Sequence, residues 1–108
     1  MICAVFFRNS DDVFTGFSFK DHALFADSGQ DVCCASVSSA VMLTANTITE
    51  KFGIDADITI NEKEGEISLS LKDDENENGS KLIDGLKLHI DQLENEFPGY
   101  IRVREKEV

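Results

Sequence analysis

The sequence predicts an α+β domain in the order ββαββαβ, a mainly antiparallel sheet with two helices packed on one face. Three observations predict it. Two long segments repeat apolar residues every three or four positions, the period of a helix. Two pairs of short segments, and one more at the end, run apolar or alternate apolar with polar, as strands do. Gly, Pro and acidic clusters punctuate the joins. At 108 residues, 42% of them hydrophobic, the chain has material for one core, so residues 1–108 form a single domain.

Taken in order, Ile2 to Phe7 is an apolar run, read as a strand partly covered on both faces. Asn9-Ser10-Asp11-Asp12 is a turn cluster. From Val13 to Lys20, Val13, Thr15, Phe17 and Phe19 alternate with Phe14, Gly16, Ser18 and Lys20, giving a second strand and a hairpin. Gly16 marks a bulge or a close contact. Asp31 to Phe52 is the first helix, with Cys33, Val37, Val41, Thr44, Ile48 and Phe52 on one stripe and Gly53 ending it. The small residues at its start let another backbone come close, either the sheet or a second subunit. Ala56, Ile58 and Ile60, then Ile67, Leu69 and Leu71, alternate on either side of Glu64-Gly65, forming a second hairpin with one wet face.

Asp73 to Gly79 is an acidic run, read as a solvated loop because it lacks the ligand offsets of a calcium loop. Ser80 is expected to cap the second helix, whose stripe is Leu82, Leu86, Ile90, Leu93 and Phe97. His89 flanks that stripe as a boundary residue. Pro98-Gly99 stops the helix, Tyr100 to Val103 is the last strand, and the tail Arg-Glu-Lys-Glu-Val is polar. Strand order is not legible in this pattern.

Ten basic against 21 acidic side chains leave a formal net charge of −11. Such a surface repels a phosphate backbone, which argues against nucleic acid as a direct partner, and attracts a basic polypeptide or simply keeps the chain in solution. The start Met-Ile-Cys-Ala-Val-Phe-Phe has no basic region before it and its apolar run ends at Arg8, so neither a signal peptide nor a membrane span is expected. Three cysteines, two of them adjacent, make a poor disulfide framework. A reducing, cytoplasmic setting follows. No Cys-x-x-Cys or His-x-x-x-His pair exists, so no metal and no cofactor is expected.

The chemistry concentrates between His22 and Ser38. Asp31 is a good N-cap residue, which makes Val32, Cys33 and Cys34 the first helical positions. Cys34 then stands at the positive end of the helix dipole, where a thiolate is favoured. His22 is the imidazole placed to act with it, and Ser38 shares its helix face. Cys33 lies on the apolar stripe and reads as a small core residue. Cys34 is rotated off that stripe, and two readings stay open for it: a nucleophile, or another small buried residue. Leu24 and Phe25, before the pliable Ser28-Gly29, either tuck into the core or close over a bound peptide.

The pattern His22-Ala23, the seven residues 24–30 including Gly29, then Asp31-Val32-Cys33-Cys34-Ala35-Ser36-Val37-Ser38 resembles the ribosomal-processing cysteine proteases, the Prp family. The run from Gly85-Leu86-Lys87 to Phe97-Pro98-Gly99-Tyr100-Ile101 is similar to that family's closing helix and strand. The resemblance implies an endopeptidase with Cys34 as nucleophile and His22 as general acid and base. It implies support from Asp31 and Ser38, Ser38 bonding near the thiolate or to a substrate carbonyl. It implies a substrate loop including Ala23, Leu24, Phe25 and Gly29. The implied partner is the N-terminal region of a basic large-subunit ribosomal protein, cut after an aromatic residue, and the implied assembly is a homodimer. Asp21 departs from the pattern, standing where the family usually has Gly; a position needing positive φ would tolerate it less well. The rivals are a non-catalytic ribosome-assembly or peptide-binding module, and a hydrolase of small thioesters or amides.

Overall fold

The computed structural model describes residues 1–21 and 28–108, and the side chains of residues 1–21 and 32–108. The observed order is β1 (Ile2–Arg8), β2 (Phe14–Asp21), α1 (Ser28–Asn46) running into a π-helical turn (Thr47–Lys51), β3 (Asp55–Asn61), β4 (Glu66–Asp73), α2 (Asn78–Glu96) and β5 (Ile101–Glu107). The five strands form one sheet in the order β3-β4-β2-β1-β5. All pairings are antiparallel except that of β1 with β5. The expected α+β architecture is therefore present.

Register explains why one face of the sheet carries the core. Phe6 lies opposite Phe17 and Ala4 opposite Phe19, while across the next ladder Phe17 faces Leu69. On the other side Ile2 faces Ile101. Period-two alternation puts all of these on one face, and all of them are buried. Against them α1 sets Cys33, Val37, Val41 and Ala45, and α2 sets Ile83, Leu86, Ile90 and Leu93. The span Val32–Lys51 has a mean hydropathy of 1.4, enough in length and composition to cross a membrane. Part of that apolarity lies on the stripe buried against the sheet, while Val32, Met42 and Leu43 are exposed.

The centre of the core is aromatic. Phe6 and Phe19 meet edge to face with centroids 5.7 Å apart, and Phe17 and Phe19 do so at 5.6 Å. Phe14 adds a third edge contact to Phe6 at 6.2 Å. Such pairs add stabilisation beyond their buried area.

The first hairpin turns on Asn9, whose Oδ1 accepts from the N–H groups of Asp11 (2.9 Å) and Val13 (3.1 Å). Gly16 marks a close contact: a Cβ there would overlap the Leu69 carbonyl oxygen of β4. The second hairpin turns at Gly65, which adopts φ 61°, and the Gly65 carbonyl accepts from the Asp21 N–H at 3.2 Å. That bond ties the turn to the end of β2.

Four sequence expectations are corrected here. The first helix is already formed at Ser28, three residues before the expected cap, so Asp31 lies inside it. Phe52 leaves the stripe and is exposed, because the turn at Thr47–Lys51 closes with the Phe52 N–H on the Thr47 carbonyl and delays the helical phase. The tail joins β5 rather than trailing off, since β1 supplies a partner as far as Arg8 opposite Glu107.

Ser80 does not cap α2. It is buried within the helix, and Asp74 receives the N–H groups of Gly79 (2.8 Å) and Ser80 (2.9 Å) on its two carboxylate oxygens. The acidic run thus folds back on the helix that follows it. Asp74→Ala should cost about 1–2 kcal/mol, with a Tm fall of roughly 5–10 °C. Thermal unfolding checks this; an unchanged Tm would show that water serves those donors equally well.

Candidate active site

Odd-numbered residues of β2 point toward the helices, as Phe17 and Phe19 do, and Asp21 shares their parity at the strand's end. It sits opposite Ile2, with no left-handed φ, so aspartate fits there without backbone strain. Above it, α1 presents Cys33 and Cys34 on adjacent faces. The fold brings Asp21 and Cys34 together: the Cys34 Sγ–H donates to Asp21 Oδ2 at 3.2 Å.

The two neighbouring thiols have different surroundings. Cys33 is fully buried among apolar side chains, as its place on the stripe predicts. Burial pushes its thiol above the ordinary range, and the Asp21 carboxylate pushes it further. Cys34 is only half-buried and lines a cavity of about 130 Å³. The apolar wall of that cavity comes from Ile2, Phe19, Val37, Val41 and Ile67, and its polar lining includes Asp21 and Ser38. Ser38 is exposed one turn beyond Cys34. An apolar cavity of ~150 Å³ accepts a benzene ring, so this one matches a ring-sized side chain.

Helix geometry alters the electrostatic expectation. Cys34 lies six residues after Ser28, about 9 Å along the axis. The dipole's effect fades within the first turn, and only the first four N–H groups lie outside the helical ladder. The Cys34 N–H therefore falls within the helical ladder, not among the free donors of the helix start. Cys34 is instead set by its position over the sheet end and the cavity.

Of the other residues singled out in the sequence, His22, Ala23, Leu24 and Phe25 lie outside the described residues. Gly29 and Asp31 fall in the first turns of α1, their side chains outside the description. His89 is exposed on α2. Sequence reasoning missed Asp21 as a partner of Cys34. The signal was its even spacing from Phe17 and Phe19, which puts it on the helix side of the sheet.

Comparison with known proteins gives concordant results. The family described as Cysteine protease Prp matches residues 1–102. The ribosomal processing cysteine protease Prp of Bacillus subtilis (strain 168) is 29% identical over 107 residues, covering 95% of this chain and 96% of its own. Among solved structures, an essential ribosomal processing protease Prp from S. aureus in complex with a substrate peptide is similar at TM-score 0.90 and 21% identity, covering 98% of this chain and 100% of that one. SMU.848 from Streptococcus mutans is similar at TM-score 0.88 and 20% identity, covering 100% and 99%. At these identities the structural likeness speaks for the fold.

Proposed function

Because this chain belongs to the Prp family of cysteine proteases, we propose that it is an endopeptidase that removes a short N-terminal extension from a large-subunit ribosomal protein, with Cys34 as nucleophile and His22 as general acid and base. The observation that carries this reading is the half-buried Cys34 sulfur lining a cavity that holds Ser38 and Asp21 in its wall.

In this mechanism the Cys34 sulfur, its proton lost to His22, attacks the scissile carbonyl carbon. The C–N bond breaks as the imidazolium protonates the leaving amine. Water then attacks the thioester, the imidazole takes its proton, and the sulfur leaves. Ser38 bonds the sulfur or a substrate carbonyl. The ring-sized cavity supports an aromatic residue beside the cut. The net charge of −11 supports a basic polypeptide as substrate.

The test is incubation with a ribosomal-protein precursor, with the product read by mass spectrometry. A shortened chain cut after an aromatic residue is expected. A precursor that binds and returns uncut would favour the non-catalytic peptide-binding module.

A further inference from the structure

We propose that Asp21 is the positioning residue of the Cys34 thiol: its carboxylate holds the proton on the sulfur in the resting site, and the sulfur ionises only when that bond is given up. The inference rests on the reading of Cys34 as the nucleophile.

The geometry carries it. The 3.2 Å contact is a hydrogen bond only while the sulfur keeps its proton; a thiolate there would face a carboxylate with no hydrogen between them. Asp21 does not remove the proton, because an ordinary carboxylic acid ionises about four to five pH units below an ordinary thiol. Nor does the main chain let the carboxylate withdraw. Asp21 pairs with Ile2 in the sheet, and its N–H is held by the Gly65 carbonyl. The apolar cavity wall screens the two groups less than open water does.

Among the described residues, the neighbouring charges are already engaged. Lys20, the next residue in β2, pairs with Glu64 at 3.0 Å and also feels Glu66 of β4. The N-terminal ammonium beside β1 acts on Cys33, as does Asp21 itself. A substrate N–H or basic side chain that takes the carboxylate as its acceptor releases the sulfur, which couples nucleophile formation to peptide binding.

The experiment follows iodoacetamide alkylation of Cys34 against pH in the whole chain, with Cys33 and Cys34 distinguished by tandem mass spectrometry. Asp21→Asn keeps the shape of the side chain and removes its charge. Its alkylation midpoint should fall by about one pH unit, so that the rate near pH 6.5 rises roughly tenfold. Asp21→Gly removes the acceptor altogether and should shift the same way, which keeps the test open if the asparagine variant folds poorly. A purely spatial role would leave the asparagine midpoint in place. Profiles that superpose on the parent, or midpoints that rise, overturn the proposal. Alkylation needs no peptide, so the two readings separate. A chain that cuts nothing yet shows the shift loses the protease reading alone, and a chain that cuts without the shift loses this one alone.

Discussion

Replacing Cys34 with alanine should abolish precursor cleavage, by roughly a thousandfold or more, because the proposed acyl intermediate forms on its sulfur. The fold should survive. The side chain is small and half-buried, outside the fully buried stripe, and its loss removes the hydrogen bond to Asp21 at a partly wet site. The control is its neighbour. Cys33→Ala trims a fully buried sulfur, so about 1 kcal/mol of stability is expected to go while cleavage stays near the parent rate. Progress curves on a precursor peptide, with circular dichroism on both variants, decide the matter. Parent-rate cutting by the Cys34 variant removes the mechanism; loss of cutting in a well-folded Cys33 variant reverses the two roles.

The second large effect is on stability. Phe6→Ala should cost about 3–5 kcal/mol, since truncating a buried phenylalanine loses its transfer energy and leaves a cavity. Phe6 is wholly buried and contacts three other rings, so its removal unsettles Phe14, Phe17 and Phe19 together. Against a total of ~5–15 kcal/mol for a small domain, that is about a fifth or more of the whole. Urea unfolding measures it. A loss under ~1.5 kcal/mol would mean the neighbouring rings collapse into the space.

How far the sequence reveals this depends on whether the signal is local. Strands were legible because alternation is a two-residue pattern: Phe17 and Phe19 had to share a face, and they line the core. The helical stripes from Cys33 to Ile48 and from Leu86 to Leu93 were legible for the same reason, although Ala45, not the expected Thr44, is the buried residue of the first. Helix ends were not. Asp31 has the side chain of a good cap, yet the helix runs through it, because local propensity does not fix where a helix ends. Ser80 was likewise displaced by Asp74, whose side chain reaches forward across the turn. The parallel pairing of β5 with β1 joins opposite ends of the chain, and no local pattern encodes it.

The candidate site divides along the same line. The separate fates of Cys33 and Cys34 follow from helical phase, which sequence shows. The meeting of Cys34 with Asp21 follows from how α1 lies across the sheet, which it does not.

That parallel pairing also bears on how the protein comes into being. β1 lies between β2 and β5, with Ile2 opposite Ile101 and Arg8 opposite Glu107. The nascent chain thus exposes its first strand early, yet one row of that strand's backbone donors and acceptors has no mate until residues 101–107 have been made. A half-built polypeptide carries a bare margin of the kind that recruits stray strands. Closure of this sheet is consequently a late event, completed only once residues 101–107 have been made.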